Sequence, residues 1–308
     1  MQNCATCSKK ASFRCNQCRL QYYCSAEHQK IDWNAKHRLI CGKYKQSWNE
    51  GKVVSFYNSG SQIGRGGFGQ VMVNPSIDPA VAIKYSKSRV SCASFSSEFK
   101  IASYIQKAAK SSGFEDKHAA VVKILADVSE ISTLREGEIY CALVMDYIKR
   151  PNFEFGSDNA LSYQAYVGAD DPMYAHTSNG RGNYIGLDHV LKIMDVTQAE
   201  LFVSMGRLIG FLHYVAEVDA TDMEYIVGSS SMDGTLKIYA IDFDRVGRVE
   251  NYQINIDTLV WSLSQETYFP NPTQSDYELF RKAYIGMAST PEKKAIAKKV
   301  IQTYEDDF

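Results

Sequence analysis

Eight cysteine and histidine residues near the start of the chain fall into four pairs: Cys4-x-x-Cys7, Cys15-x-x-Cys18, Cys24-x3-His28 and His37-x3-Cys41. Each spacing lets both members reach one metal ion, and thiolate sulfur with imidazole nitrogen is a donor set of zinc. Eight donors make two tetrahedral sites with every position filled by protein, which marks the ions as structural, because a catalytic zinc keeps one position open. Further along, Gly64, Gly66 and Gly69 stand at GxGxxG spacing in IGRGGFGQVMVNPSIDPAVAIK (63–84), and Lys84 closes an alternating apolar run. Glycines lack a Cβ, so their backbone N–H groups can lie directly against phosphate oxygens. Val71 and Val73 alternate on a returning strand, and Asn74, Pro75 and Pro79 forbid a long helix, so the segment reads as a hairpin. A dinucleotide-binding fold needs a helix directly after its glycines and a Walker loop needs Gly-Lys-Ser/Thr; neither is present.

These residues need elements to hold them. Phe95, Phe99, Ile101, Ala102 and Ile105 have helical periodicity around Glu98, and Leu201, Met205, Leu208, Ile209 and Leu212 make one apolar face over 198–215. His213, at the end of that helix, reads as a satisfied core histidine. A short helix over 27–40 carries Ile31, Trp33 and Leu39. Thr290 as N-cap and Pro291 in the first turn start a C-terminal helix that buries Ile296, Val300 and Tyr304, and Glu305 to Asp307 oppose its dipole, so its end frays. Residues 42–60 are polar with scattered aromatics and read as a linker. Residues 150–190 show no periodicity and read as an irregular insertion.

The chain of 308 residues, 45% apolar and 22% charged, suffices for one large domain and one small one. It has no run of eighteen apolar residues and no signal-peptide pattern in its first twenty, which points to an intracellular protein, cytoplasmic or nuclear, without a membrane partner. Six of the eight cysteines lie in the first 41 residues, and the other two, Cys92 and Cys141, stand far apart and read as buried or free thiols. Nine Lys/Arg against three Asp/Glu in residues 1–50 leave 25 against 32 in the remainder, a balance of −7. A net charge of −1 speaks against nucleic acid as a partner.

The cysteine and histidine pattern, with Tyr23 before Cys24, resembles the MYND zinc finger. The resemblance implies interleaved pairs, with Cys4, Cys7, Cys24 and His28 on one zinc and Cys15, Cys18, His37 and Cys41 on the other. His28 stands where cysteine is more usual. It also implies binding of short proline-containing peptides from partner proteins, with Trp33 and Gln29 as groove residues, although a tryptophan filling a tiny core fits as well.

The hairpin and Val81-Ala82-Ile83-Lys84 resemble the glycine-rich loop and VAIK strand of protein kinases. That resemblance implies a Lys84–Glu98 ion pair against nucleotide phosphates, with Gly64, Gly66, Gly69 and Val71 over the nucleotide and Met145 beside the adenine. HAAVVKIL (118–125) looks like the segment ahead of the family's fourth strand. Asp219 has the catalytic aspartate's spacing to Glu224, which replaces the usual metal-binding asparagine, and Asp242 matches the metal-binding aspartate of Asp-Phe-Gly. The His and Arg of HRD are missing, Asp244 stands where glycine belongs, and no APE-like element follows. The block from Val218 to Val227, the triplet Asp242-Phe243-Asp244 and Tyr268-Phe269-Pro270-Asn271-Pro272 are similar to an uncharacterised fungal and protist family. Some aminoglycoside and choline phosphotransferases also end their site with an Asp-Phe-acidic triplet.

The expected architecture is α+β: a two-zinc finger (1–45), a linker (46–57), a two-lobed kinase-like domain (58–290, lobes dividing near 147) and a C-terminal helix (291–308). Two functions stay open. One is an adaptor whose finger recruits peptide partners and whose kinase-like domain is a pseudokinase that holds nucleotide. The other is an active ATP- and magnesium-dependent phosphotransferase with Asp219 and Asp242 as its catalytic residues. In either case zinc coordination, about 10–16 kcal/mol per structural site, is what folds so short a finger. Chelation is expected to unfold residues 1–45 and leave the melting of the larger domain intact. Calorimetry with and without chelator checks this, and loss of both transitions together contradicts the division.

Overall fold

The computed structural model describes residues 4–7, 9–15, 21–37, 48–65, 69–86, 88–128, 131, 139–151, 163–168, 183–249, 255–264 and 268–308. The chain divides into two compact units, Met1–Lys52 and Val53–Phe308.

In the first unit β1 (Phe13–Arg14) and β2 (Tyr22–Tyr23) pair antiparallel, with Phe13 opposite Tyr23. Helix α1 (Ala26–Asp32) is started by Ser25, whose hydroxyl accepts from the His28 N–H at 3.2 Å, and the chain continues as a π-helical turn, Trp33–His37. The buried cluster described here is only Cys4, Cys15 and Tyr23. A core that small cannot hold a fold by apolar burial alone.

The segment read as a linker is helical from Glu50 onward: α2 spans Glu50–Ser59. Its polar composition hides an i, i+3 apolar pair, Val53 and Phe56, both fully buried. The Tyr85 hydroxyl donates to the Val53 carbonyl at 2.8 Å and the Asn74 amide to the Phe56 carbonyl at 3.3 Å.

The second unit opens with β3 (Ser61–Arg65), β4 (Gln70–Asn74) and β5 (Asp78–Ser86). Asn74, Pro75, Ser76 and Ile77 form the turn before β5, where the Ile77 N–H donates to the Asn74 carbonyl at 3.1 Å, so the hairpin forms as its Asn-Pro sequence requires. Helix α3 (Arg89–Ser112) starts nine residues before Glu98 and ends on Gly113 in the left-handed region. Next come β6 (Ala119–Val121), β7 (Ile124–Val128), β8 (Cys141–Asp146) and β9 (Ile148–Lys149). Five strands make one antiparallel sheet in the order β3-β4-β5-β8-β7, and α3 packs on it.

Cys92 and Cys141, expected as buried or free thiols, are joined in a disulfide with Cα atoms 5.7 Å apart. Their separation of 49 residues concealed that the first turn of α3 lies over the start of β8.

Part of the stretch read as an irregular insertion contributes β10 (Tyr163–Tyr166) and β11 (Asn183–Gly186); 152–162 and 169–182 lie outside the described residues. Helices α4 (Leu187–Met194) and α5 (Gln198–Tyr214) follow, then the hairpin of β12 (Glu224–Ser230) and β13 (Leu236–Ile241). These strands form a second sheet, β11-β10-β12-β13-β6, with β9 also on β12. Among the described residues, α6 (Ile256–Ser264), α7 (Tyr277–Gly286) and α8 (Pro291–Asp306) follow.

Thr197 and Glu200 cap α5 reciprocally. At Gly206 on α5 a Cβ would lie 2.4 Å from the Phe280 carbonyl oxygen, so glycine is what lets α5 and α7 approach backbone to backbone. Helix α8 begins as its cap predicts, with the Thr290 hydroxyl accepting from the Lys293 N–H at 3.2 Å. It buries Val300 and Tyr304 as expected, Ala297 and Ile301 as well, and Ile296 in part. Lys293 of α8 donates to the Tyr214 carbonyl and to Glu217, so this helix is tied into the body of the second unit. Among the described residues no helix is long and apolar enough to cross a membrane.

His213 is buried as a satisfied core residue, with Nδ1 2.8 Å from the Tyr284 hydroxyl and Nε2 3.1 Å from the Ser262 hydroxyl. Burial lowers its pKa to about 3. A depressed folded pKa contributes stability that is whole above the unfolded value near 6.5 and is lost as pH falls through it toward the folded one. Between pH 6.5 and 4 the second unit is therefore expected to lose up to about 1.4 kcal/mol per pH unit through this group. Urea titrations check this: the same acid slope in His213→Gln as in the parent contradicts the assignment.

Candidate functional site

Two constellations stand out, one in each unit. In the finger, the Cys7 and Cys4 sulfurs lie 3.4 and 3.5 Å from His28 Nδ1, the Cys24 sulfur lies 3.1 Å from it, and Cys7 and Cys24 are 3.6 Å apart. Zinc bonds of 2.3 Å to sulfur and about 2.1 Å to nitrogen put tetrahedral donors roughly 3.5–3.8 Å from one another. All four ligand atoms lie within 4.8 Å of one another, so the three cysteines and His28 fit one zinc ion. The loop before β1 brings Cys4 and Cys7 in, and the cap of α1 fixes Cys24 and His28 on either side of Ser25.

Of the second expected set, Cys15 and His37 are buried, and Cys18 and Cys41 lie outside the described residues. The Tyr23 hydroxyl donates to Asp32 at 2.7 Å and lies 2.7 Å from His37 Nδ1, with Asp32 3.4 Å from that nitrogen. With the Tyr23 proton on Asp32, Nδ1–H is the donor and Nε2 carries the lone pair that a metal needs. Burial lowers the His37 pKa, which favours the same neutral imidazole. Sequence reading singled out Tyr23 only by its place before Cys24 and missed Asp32. Trp33, one of the expected groove residues, stacks on His37 at 5.5 Å between ring centroids and is half-buried, as is Gln29. Ile31 is 49% exposed.

In the second unit the Lys84 ammonium donates to Glu98 at 2.9 Å and to Asp242 at 2.8 Å. These residues come from β5, α3 and the turn after β13. Cross-strand partners share a face of a sheet. Val71 opposite Lys84, Leu143 opposite Lys84, and Met145 opposite Ala82 therefore put Val71, Ala82, Lys84, Leu143 and Met145 on one face. Tyr85 points to the other face, toward α2. Gly64 lies in β3 opposite Val71, and Gly66 lies outside the described residues. Gly69 has a packing reason of its own, because a Cβ there would lie 2.1 Å from the Tyr85 carbonyl oxygen.

The Lys84 side chain is 11% exposed, Glu98 2% and Asp242 35%. Burial alone would lower the lysine pKa; the two carboxylates reverse that and hold it above the ordinary value. Burial pushes Glu98 up to about 7 while Lys84 pulls against the shift. The short contacts favour the charged pair. Burial, and then the charge of Asp242, raises the neighbouring Asp244.

The other expected site residues cluster less closely. Glu224 begins β12 opposite Ile241, one residue from Asp242. Asp219 Oδ1 accepts from the Thr221 N–H at 3.1 Å and the Gly247 N–H at 2.9 Å, so it ties its loop to the segment after β13. Glu217, Ala220, Asp222 and Asp242 all have φ between 52° and 61°, in the left-handed region that non-glycine residues avoid. Strain of this kind persists only where surrounding structure dictates it, and it concentrates at functional sites.

A family model described as MYND finger matches residues 4–41. Egl nine homolog 1 of Homo sapiens is 46% identical over 41 residues, which are 13% of this chain and 9% of that protein. Egl nine homolog 1 of Mus musculus is 46% identical over 41 residues, 13% of this chain and 10% of that protein. The chain thus matches about a tenth of the length of these relatives. Residues 4–41 are a MYND-type zinc finger, and its cysteine and histidine cluster fits zinc. MYND fingers as a class mediate protein interactions.

Removing one partner of a buried ion pair costs about 3–5 kcal/mol, whereas replacing the pair with apolar residues is often neutral. Lys84→Met is expected to destabilise the second unit by about 3 kcal/mol, and Lys84→Met with Glu98→Leu to recover most of that loss. Denaturant titration checks it; purely additive losses contradict the pairing.

Proposed function

We propose that the chain is an adaptor in which the zinc finger recruits peptide or protein partners and the second unit is a kinase-like domain that holds nucleotide with weak or no phosphoryl transfer. The observation that carries the second half is the contact of Lys84 with both Glu98 and Asp242. A lysine on the third strand of a five-stranded antiparallel sheet, paired with a glutamate on the helix packed against that sheet, is the pairing protein kinases place at nucleotide phosphates. An aspartate reaching the same amine from after a hairpin agrees with the metal-binding position. Lys84 and Asp242 are the residues that would hold phosphate and a divalent ion, and Val71, Ala82 and Met145 would line the base. Magnesium supplies oxygen coordination and neutralises phosphate charge.

Weak transfer follows from the residues around this centre. One oxygen of the Asp219 carboxylate, Oδ1, is already taken by the N–H groups of Thr221 and Gly247, which leaves the group less free to orient an acceptor hydroxyl. Asp244 adds a second carboxylate where the resemblance calls for glycine.

The second reading, an active phosphotransferase acting on protein or small molecule, is favoured by Glu224 lying one residue across the hairpin from Asp242. Two carboxylates at one end of a hairpin are oxygen ligands of the kind magnesium takes. In that reading Asp219 is the base and Glu224 and Asp242 hold the metal.

Purified protein given ATP and magnesium separates the two. The adaptor reading expects a rise in melting temperature that disappears in Lys84→Met, with no phosphate release. Phosphate release or autophosphorylation that Asp219→Asn abolishes favours the phosphotransferase. Neither a shift nor turnover removes both.

A further inference from the structure

The disulfide between Cys92 and Cys141 joins the same two elements that the Lys84–Glu98 contact joins. Cys92 is in the first turn of α3, six residues before Glu98, which is less than two helical turns. Cys141 opens β8 opposite Ser86 of β5, and two positions on, Leu143 lies opposite Lys84. One end of the cross-link therefore sits on the helix that carries the carboxylate, and the other on the strand beside the amine.

Just before α3 the buried Ser86 hydroxyl donates to the Ser88 carbonyl at 2.8 Å and accepts from the Ser88 N–H at 3.1 Å. Ser88 stands at the N-cap but makes no side-chain capping hydrogen bond, and the first turn has no acidic residue to meet the helix dipole. The next anchors lie further along, at the buried ring of Phe95 and the hydroxyl of Ser96, which donates to Asp127 at 3.0 Å. The two sulfurs also differ in access. Cys141 is fully buried and Cys92 is half-buried, so an attacking thiol can approach one side of the bond. Cys4, Cys7 and Cys24, by contrast, serve the zinc cluster as separate thiols.

We infer that Cys92 and Cys141 form a thiol switch: oxidised, the pair pins the first turns of α3 to β8 and holds Glu98 on Lys84; reduced, it releases them. The chemistry is thiol–disulfide exchange with a small thiol such as glutathione. A glutathione thiolate attacks the accessible Cys92 sulfur, the Cys92–Cys141 bond breaks, and Cys141 leaves as a thiolate that takes up a proton. A second glutathione thiolate attacks the glutathione sulfur of that mixed disulfide, which releases Cys92 as a thiol and glutathione disulfide as the product. Glutathione disulfide drives the reverse, and two electrons pass in either direction. In the nucleotide reading proposed above, on which this consequence rests, the switch sets how tightly the cleft holds ATP.

The test uses the full chain with zinc bound, equilibrated in buffers of differing reduced-to-oxidised glutathione ratio, with zinc retention measured throughout. Peptide mapping follows the Cys92–Cys141 bond, amide hydrogen exchange follows residues 89–98, and equilibrium titration follows magnesium-ATP. Expected are reversible conversion, exchange in 89–98 faster by about tenfold in the reduced form, and weaker ATP binding by about fivefold or more. Cys92→Ser is expected to show the reduced values in every buffer, with Cys141→Ala as the second variant should the first misfold. A bond that yields only when the second unit unfolds, or exchange in 89–98 that is the same in both forms, overturns the switch. Exchange that follows the bond while ATP binds to neither form leaves the switch standing and removes the nucleotide reading instead.

Discussion

A lysine ammonium at 11% exposure cannot remain charged without anionic partners, and here two carboxylates from distant parts of the chain meet it. Residues 84, 98 and 242 lie on a strand, a helix and a turn, so one contact requires the β4–β5–β8 register, the length of α3 and the β12–β13 hairpin to be right together. An ion pair this buried gives little net stability over an apolar substitute. Its value is geometric, because only one arrangement of the three elements satisfies all the charges. The left-handed backbone at Asp242 and in the nearby loop belongs to the same arrangement. Conformations that non-glycine residues avoid are kept where the carboxylates must point in set directions.

The finger meets the same problem at a smaller scale. Among its described residues the finger's buried apolar cluster is Cys4, Cys15 and Tyr23, and a zinc ion held by the four donors would supply free energy that so small a core lacks. Its polar interior is organised beyond the ligands themselves. The Tyr23 hydroxyl donates a hydrogen bond to Asp32, which leaves its oxygen to accept from His37 Nδ1, and the indole of Trp33 stacks on that ring. A groove-forming tryptophan and a core-forming one were both open at the level of sequence, and the stacking on His37 is what a structural duty looks like.

Much of the first sheet was legible because its signals are local. Asn74, Pro75 and Pro79 forbid a long helix, and the alternating Val71 and Val73 lie opposite Lys84 and Ala82 respectively. Helices α5 and α8 were legible for the same reason, α5 through its apolar stripe and α8 through Thr290 as cap and Pro291 in the first turn. The second sheet was not. β10 pairs parallel with β11, and β13 parallel with β6, across long stretches of chain, and strands of three or four residues carry too few positions to show a period. α2 escaped notice because only Val53 and Phe56 mark its buried face in an otherwise polar segment. The start of α3 was missed because serine, alanine and cysteine before Phe95 give no periodicity of their own.

By itself the sequence determined the four cysteine and histidine pairs, since ligand spacing is a property of the chain, and the resemblance to the MYND finger implied that Cys4, Cys7, Cys24 and His28 share one ion, as their clustering fits. It also determined the returning strand after the glycines and the strand that carries Lys84. Only the tertiary structure decided that Asp242 reaches the amine of Lys84, that Asp219 accepts from Gly247 beyond the β12–β13 hairpin, and that Cys92 reaches Cys141. Those outcomes depend on distances between residues 28 to 158 positions apart, which are set by how sheets and helices pack and leave no mark on local composition.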